Sequence, residues 1–352
     1  MIKRVIAVIC SVILISSCGV KTGKETTAVK HTENSAELTL EEKVGQLFIV
    51  QCVNGDMSAI LEKQPGGILM FSYNFDDLSK DEVIAKIDGF RAALKVEPYI
   101  AVDEEGGTVV RVSNHSALAP EAYKSPQYYY GIGGMPAIID NTIEKSELLS
   151  SLGINMNLAP VADVSTDEND FIYARSLGQD AETTADYVSA VVRAMSNHNV
   201  SSCLKHFPGY GNNTDTHTGI AIDNRPLSEF YEKDLLPFRS GIDAGADAVL
   251  VSHNIITAAD PDQPASISPE IHRILRDELG FEGLIITDDM SMGAMAEYDT
   301  PYIKAVLAGN DMIIVSDINS AYNEVLGAVK DGTIPMDVLD NAVERILESK
   351  RR

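Results

Sequence analysis

Residues 248–288, AVLVSHNIITAADPDQPASISPEIHRILRDELGFEGLIITD, contain one copy of the pattern that decides the fold. The stretch begins with a short apolar run at 248–253 and ends with another at 284–288, and a segment of helical period at 269–279 lies between them. Short runs this rich in Val, Leu and Ile are typical of parallel strands that are buried on both faces. The stretch therefore predicts a strand–helix–strand unit with parallel strands.

The same unit recurs along the chain, because eight apolar runs alternate with segments of helical period. The runs are residues 46–52, 67–71, 99–103, 155–160, 202–207, 248–253, 284–288 and 312–316. The helical segments include residues 79–94, 183–197, 227–244, 269–279, 302–309 and 336–347. No GxGxxG motif follows the first run, which argues against a doubly wound sheet. We predict an α/β fold, a (β/α)8 TIM barrel in a single domain over residues 38–352, with a long loop at 113–137.

The composition of the chain limits the classes of protein to which it can belong. The chain has 352 residues, a formal net charge of −24 and a hydrophobic content of 45%, which is enough to bury a large core. Such an acidic protein repels polyphosphates, so we predict no nucleic-acid partner. Cys52 and Cys203 lie in strand-like runs and are predicted to be buried thiols rather than a disulfide framework.

The first 37 residues indicate export and anchoring. Lys3 and Arg4 precede an apolar run at 5–15, which is too short to span a bilayer and is typical of a signal peptide. Ser16, Ser17 and Cys18 follow the run in a sequence that resembles a bacterial lipoprotein box, in which the cysteine is acylated. We therefore predict a lipoprotein signal peptide at 1–18, a flexible tether at 19–37 and a lipid anchor at Cys18. This places the protein at the outer face of the cytoplasmic membrane, with the membrane as a partner.

Polar residues close several of the apolar runs. The third run leads into DEEGG at 103–107, the fifth into KHFPG at 205–209, the sixth into SHN at 252–254 and the seventh into TDD at 287–289. In a barrel of this kind the active site lies where the carboxyl ends of the strands meet. We predict a site of carboxylates and imidazoles, suited to binding hydroxyl groups and transferring protons. No HExxH motif, CxxC pair or His-rich spacing is present, so no metal or other cofactor is predicted.

Four motifs carry a resemblance to a known family. They are DEEGG at 103–107 with Arg111, ARSLG at 174–178, KHFPGYGNNTDTH at 205–217 and TDDMSM at 287–292. In this order, over residues 38–350, they resemble glycoside hydrolase family 3, and within it the β-N-acetylhexosaminidase branch. The resemblance implies a retaining exo-β-N-acetylglucosaminidase that removes terminal β-linked N-acetylglucosamine from a glycan or muropeptide, with peptidoglycan fragments as the expected source.

The resemblance also implies roles for particular residues. It assigns Asp288 as the nucleophile that forms a covalent glycosyl-enzyme, His217 as the acid/base, and Asp215 as the residue that orients His217. Histidine suits this role because its unperturbed pKa is near 6.5 and a neighbouring carboxylate holds its tautomer. Residues implied to bind the sugar are Asp103, Arg111, Arg175, Lys205, His206 and, near the acetamido group, Met292.

Three alternatives remain open at this point. A β-glucosidase or β-xylosidase of the same family would keep the same nucleophile. A lipid-anchored sugar-binding protein would keep the barrel without turnover. Phosphate in place of water as the acceptor would make the protein a phosphorylase.

Overall fold

Eight parallel strands form one sheet that curves into a nearly closed barrel in the part of the chain that the structure describes. The computed structural model describes residues 31–32, 34–211 and 221–351. The strands are β1 (Phe48–Gln51), β2 (Gly67–Met70), β3 (Tyr99–Val102), β4 (Met156–Asn157), β5 (Ser201–Phe207), β6 (Ile222–Asp223), β7 (Ala248–Val251), β8 (Ile255–Ile256), β9 (Leu284–Thr287) and β10 (Ile313–Val315). All of these except β6 and β8 belong to the barrel and coincide with the eight predicted runs. The predicted (β/α)8 TIM barrel is confirmed.

The strands follow one another around the barrel in chain order. The sheet order is β10-β1-β2-β3-β4-β5-β7-β9, and a parallel bridge between Ile286 and Met312 joins its two ends. Every residue of β2, β3, β7 and β9 is buried, as predicted for strands covered on both faces. The register pairs Phe207 with Val251 and Val251 with Thr287, so the residues that follow these strands share one rim of the barrel.

Helices cover the outside of this sheet. They are α1 (Leu40–Gln46), α2 (Ser58–Leu61), α3 (Lys80–Ala93), α4 (Pro126–Ser151), α5 (Ala181–Ser196), α6 (Leu227–Glu229), α7 (Leu235–Asp243), α8 (Pro269–Arg273), α9 (Pro301–Ala308), α10 (Ile318–Asp331) and α11 (Met336–Lys350). A π-helical turn, Phe230–Asp234, joins α6 to α7, and a second, Ile274–Glu278, extends α8. Each predicted helical segment is therefore confirmed. Helix α3 begins at a capping box, in which the Ser79 hydroxyl accepts from Glu82 N and the Glu82 carboxylate accepts from Ser79 N.

The loop predicted for residues 113–137 is wrong beyond Ser125. Helix α4 begins at Pro126, and the Ser125 side chain accepts a hydrogen bond from Tyr128 N. Proline is favourable at the first position of a helix, where its missing N–H has no partner to lose. Gly134 has φ 63° and interrupts the helix at a kink, so glycine and proline mark a kink here and not the end of the helix.

The remaining sequence predictions concern cysteines and the amino terminus. Cys52 and Cys203 are buried free thiols, as predicted. Residues 1–30, which include Cys18, the signal peptide and most of the predicted tether, lie outside the described residues, as does Glu33. At the end of the predicted tether, Ser35–Glu37 form a 3-10 turn. No helix within the described ranges is both long and apolar enough to cross a membrane.

A buried carboxylate holds the seam where the barrel closes. Asp311 is fully buried and precedes β10. Its side chain accepts from Arg276 Nη2, from Arg345 Nε at 2.6 Å and from Ile285 N at 2.9 Å. One carboxylate therefore ties α11 and the extension of α8 to β9.

We expect Asp311→Ala to lower the free energy of unfolding by about 3–5 kcal/mol, because removing one partner of a buried ion pair leaves the others uncompensated. Urea unfolding measures this loss. Asp317→Ala is the control: Asp317 is an exposed cap of α10, and its loss should lower the free energy by only about 1 kcal/mol. Equal losses in the two variants would contradict a special role for Asp311.

Candidate active site

A polar pocket of about 240 Å³ lies at the carboxyl ends of the barrel strands. Leu69, Leu158, Leu250 and Ile314 contribute apolar surface to it. Its charged and polar lining residues are Asp103, Glu105, Arg111, Arg175, Lys205, His206, Asp288 and Asp289. The pocket thus occupies the position at which enzymes of this fold bind their substrates.

The structure brings together six of the nine residues that sequence reasoning assigned to catalysis or sugar binding. They are Asp103, Arg111, Arg175, Lys205, His206 and Asp288. Met292 is buried in the turn after β9 and is not among the described residues that line the pocket. Asp215 and His217 lie in segment 212–220, outside the described residues.

Lys205 lies at the centre of a buried cluster of charges. Its Nζ is 2.6 Å from Asp103 Oδ1 and 2.6 Å from Glu105 Oε1. Arg175 binds the Glu105 carboxylate through two contacts, Nη2 to Oε1 at 2.7 Å and Nε to Oε2 at 3.0 Å. Such bidentate pairing fixes the plane of the guanidinium group. The two cations and two carboxylates are therefore held in one arrangement before a ligand binds.

The cluster keeps Glu105 and Lys205 ionised despite their burial. Burial raises the pKa of Glu105, but Lys205 and Arg175 lower it far more, so the pKa lies well below its usual value. Burial lowers the pKa of Lys205, but Asp103 and Glu105 outweigh it and the pKa is raised. The pocket thus presents fixed positive and negative groups to a ligand at neutral pH.

His206 is oriented by a carboxylate that the sequence analysis missed. Asp163 is 1% exposed, and its Oδ2 accepts from His206 Nδ1 at 2.7 Å and from His206 N at 3.1 Å. On the other side of the ring, Arg175 Nη2 lies 3.1 Å from His206 Nε2. Since a guanidinium can only donate, Nε2 accepts, and the ring proton is on Nδ1. Asp163 and Arg175 together define the tautomer of His206.

The two consecutive aspartates after β9 have different surroundings. Asp289 Oδ2 accepts from Gln51 Nε2, and its Oδ1 accepts from Ser291 N and Oγ at 2.9 and 2.8 Å. For Asp288 the described contact is with the next backbone amide, Asp289 N, at 2.8 Å. Asp289 is therefore held by Gln51 of β1 and by its own turn, and Asp288 is the better placed of the two to react with a ligand.

Charges around Asp288 favour its ionised form. Burial raises its pKa, but neighbouring groups, among them His253, the Asp289 N–H and Lys205, lower it by more, so the pKa lies below its usual value. His253 itself is held in place, because its Nε2 donates to the Asp289 carbonyl oxygen at 3.0 Å. Asp288 is thus an anionic carboxylate at neutral pH, as a nucleophile must be.

Arg111 and Phe71 form one wall of the pocket. The guanidinium carbon of Arg111 lies 5.6 Å from the centre of the Phe71 ring, and Arg111 Nη2 is 4.0 Å from Asp103 Oδ2. Arg111 Nε is buried and has no hydrogen-bond partner among the residues described. Arg111 therefore retains donor capacity for a ligand.

The fold and the pocket define an enzyme built on a (β/α)8 barrel. Residues 39–349 match the family model described as the glycosyl hydrolase family 3 N terminal domain. The chain belongs to this family and is a glycoside hydrolase. Within the described residues, no group of three or more His, Cys, Asp or Glu side chains is placed to hold a metal ion.

Similar proteins agree with this assignment. The beta-hexosaminidase of Xanthomonas campestris pv. campestris (strain B100) is 36% identical over 232 residues, which are 65% of this chain and 69% of that protein. The structure of a glycoside hydrolase family 3 beta-N-acetylglucosaminidase from Paenibacillus sp. str. FPU-7 matches with a TM-score of 0.83 and 29% identity, over 89% of this chain and 62% of that one. Beta-N-acetylhexosaminidase from Beutenbergia cavernae DSM 12333 matches with a TM-score of 0.80 and 27% identity, over 90% of this chain and 99% of that one. The chain thus spans about three fifths of the Paenibacillus chain and nearly all of the Beutenbergia chain.

Asp163→Asn should lower kcat/KM for glycoside hydrolysis by about 10–100-fold, the range typical for loss of a residue that orients a ligand-binding side chain. The amide removes the negative charge that holds the proton on His206 Nδ1, and the ring can then no longer accept reliably from Arg175. Steady-state kinetics provide the measurement. Asp167→Asn, at an exposed position four residues later, serves as the control. An unchanged kcat/KM in Asp163→Asn would show that the tautomer of His206 does not matter.

Proposed function

We propose that this chain is a retaining exo-β-N-acetylglucosaminidase that releases terminal β-linked N-acetylglucosamine. The observation that carries the proposal is the ionised Asp288 in a pocket whose volume, about 240 Å³, suits a single sugar ring rather than an extended glycan. The names of the relatives support the sugar, since they are called beta-hexosaminidase and beta-N-acetylglucosaminidase. A pocket for one terminal residue also favours exo action.

In the proposed reaction the Asp288 carboxylate attacks the anomeric carbon. A bond forms between the Asp288 oxygen and that carbon, and the bond to the aglycone oxygen breaks. His217 gives its proton to the departing oxygen, with Asp215 orienting the imidazole. Water then attacks the anomeric carbon and loses a proton to His217, while the bond from this carbon to the Asp288 oxygen breaks and the carboxylate is restored. The two displacements return the original configuration.

The charge cluster is proposed to hold the sugar during both steps. Carboxylates accept from hydroxyl groups and cations donate to them, so Asp103, Lys205 and Arg175 suit a ring with several adjacent hydroxyls. Arg111 and His206 supply further contacts from the pocket wall. We retain Met292 as the candidate neighbour of the acetamido group, on the basis of the family resemblance alone.

The proposed function predicts a substrate preference and a difference between the two aspartates. Hydrolysis of an aryl N-acetyl-β-glucosaminide should exceed that of the matching β-glucoside and β-xyloside. Asp288→Ala should lower kcat by about 1,000-fold or more, because the covalent step is lost, while Asp289→Ala should retain most of the activity.

Three results would contradict the proposal. A preference for the plain glucoside or xyloside would indicate another branch of the family. Sugar binding in calorimetry without any turnover would indicate a binding protein. Formation of sugar 1-phosphate at saturating phosphate, detected by mass spectrometry, would replace hydrolysis with phosphorolysis.

We further propose that the protein is anchored by acylated Cys18 at the outer face of the cytoplasmic membrane, where peptidoglycan fragments or muropeptides are its substrates. The proposal rests on the sequence of residues 1–18 and on the polar segment that follows. A single acyl chain binds membranes only weakly, so stable anchoring implies more than one chain on this cysteine.

The anchor is tested by phase partitioning in detergent. The native protein should enter the detergent phase after expression in a bacterium that processes lipoproteins, and Cys18→Ala should remain in the aqueous phase with unchanged kcat. A native protein that stays in the aqueous phase would exclude the anchor and leave the enzymatic proposal untouched.

A further inference from the structure

An arginine and two buried carboxylates form a cluster in the chain that follows segment 212–220. Arg225 Nε and Nη2 donate to Asp223 Oδ2 at 3.0 and 2.8 Å, and Arg225 Nη1 donates to Asp234 Oδ2 at 2.8 Å. Asp223 is 3% exposed and Asp234 is 1% exposed. The Arg225 guanidinium also lies 4.3 Å from the centre of the Phe230 ring. None of these side chains lines the pocket described above.

The cluster packs directly against the backbone that enters the segment. Gly209 and Gly211 have φ of 120° and 56°, values that favour glycine. A Cβ at Gly209 would lie 2.9 Å from Asp234 Cβ, and one at Gly211 would lie 2.5 Å from Arg225 Nη2. Both distances are too short for a real contact, so the absence of side chains at these glycines lets the backbone lie against Asp234 and Arg225.

The same cluster is attached to the backbone that leaves the segment. Asp223 lies in β6, which pairs with β8. Ile255 N donates to the Ala221 carbonyl at 2.8 Å, and Thr257 N donates to the Asp223 carbonyl at 3.0 Å. Arg225 therefore links the chain before residue 212 to the chain after residue 220.

Asp163 also binds the backbone that enters the segment. Its Oδ1 accepts from Tyr210 N at 2.7 Å, in addition to the contacts of Oδ2 with His206. The chain at 206–211 is thus held by Asp163 and packs against the Arg225 cluster.

We propose that Arg225 is a positioning residue for proton donation by His217, acting through Gly211 and Asp223 at the two ends of segment 212–220. The inference rests on the function proposed above, which assigns the proton donor to this segment. Replacing the Arg225 guanidinium with the ammonium group of lysine would remove the fork that binds Asp223 and Asp234 together, and burial already raises the pKa of Asp234. The two carboxylates would then separate or take up water, and both ends of the segment would move. A displacement of about 1 Å is enough to lower a rate by about 100-fold when a reacting group is involved.

The test uses substrates that differ in their need for a proton. A phenyl N-acetyl-β-glucosaminide needs protonation of its leaving oxygen, whereas the 2,4-dinitrophenyl compound needs little help, and kcat/KM reports formation of the glycosyl-enzyme for both. For Arg225→Lys we expect kcat/KM to fall by about 10–100-fold on the phenyl compound and by less than about 3-fold on the dinitrophenyl compound. Gly211→Ala, which places a methyl group against Arg225, should give the same selective loss.

Two control variants make the outcome specific. Arg91→Lys changes an arginine of similar burial, since the side chain of Arg91 is 24% exposed and that of Arg225 is 20% exposed. Arg91 binds Glu97 Oε1 at 2.6 Å on another part of the barrel. It should affect both substrates equally, as should any change that only lowers stability. His217→Ala should show the selective loss at its largest.

The outcomes separate this inference from the proposed function. A uniform loss, or no loss, in Arg225→Lys and Gly211→Ala, together with a selective loss in His217→Ala, would overturn the role of Arg225 and leave the enzyme assignment intact. Equal losses on both substrates in His217→Ala would instead remove His217 as the proton donor. Thermal unfolding of each variant identifies any that fail to fold.

Discussion

The site depends on one electrostatic constraint, the burial of Lys205 and Arg175 against the carboxylate of Glu105. Two cations in a region of low dielectric are unfavourable unless a carboxylate with good geometry compensates them. Glu105 does so through bidentate contact with Arg175 and a 2.6 Å contact with Lys205. Asp103 adds a second negative charge to Lys205 at 2.6 Å. This arrangement makes the carboxyl end of the barrel a polar pocket rather than a continuation of the apolar core.

The charges of the cluster also influence His206 and Asp288, two other residues of the site. Arg175 also reaches His206 Nε2, and Asp163 binds the other side of that ring, so the cluster defines the tautomer of His206. Lys205 in turn contributes to the lowered pKa of Asp288. The proposed binding of the sugar and the ionisation of the proposed nucleophile therefore depend on the same charge. An enzyme gains from such an arrangement because the charges are in place before the transition state forms.

Much of the fold follows from local patterns in the sequence. The barrel strands are recognisable because burial on both faces requires nearly continuous runs of Val, Ile and Leu, and each run coincides with a strand. Strands β6 and β8 have two residues each and are too short to produce a pattern. The first half of α4 was missed because its tyrosines and glycines, with Pro126 and Pro136, are typical of loops. Three of its side chains, Tyr129, Tyr130 and Met135, are partly buried against the core.

Part of the site could also be predicted from local patterns in the sequence. Polar residues that directly follow a buried strand, such as Asp103, Lys205 and Asp288, stand out against the apolar run before them. Glu105 lies in a motif that was noticed but received no role, since its partners Arg175 and Lys205 are 70 and 100 residues away in the chain. Asp163 lies beyond the predicted fourth run, and its contact with His206 spans 43 residues. Contacts between residues so far apart in the chain depend on how the barrel closes, and no local sequence pattern indicates this.

We infer that the charge cluster holds a terminal sugar with its anomeric carbon against Asp288. A crystal structure of the protein with bound N-acetylglucosamine is the decisive measurement. We expect ring hydroxyls within hydrogen-bond distance of Asp103, Lys205 and Arg175, and the anomeric carbon about 3–3.5 Å from an Asp288 carboxylate oxygen. A sugar bound in another part of the molecule, or in this pocket with its anomeric carbon turned away from Asp288, would contradict it.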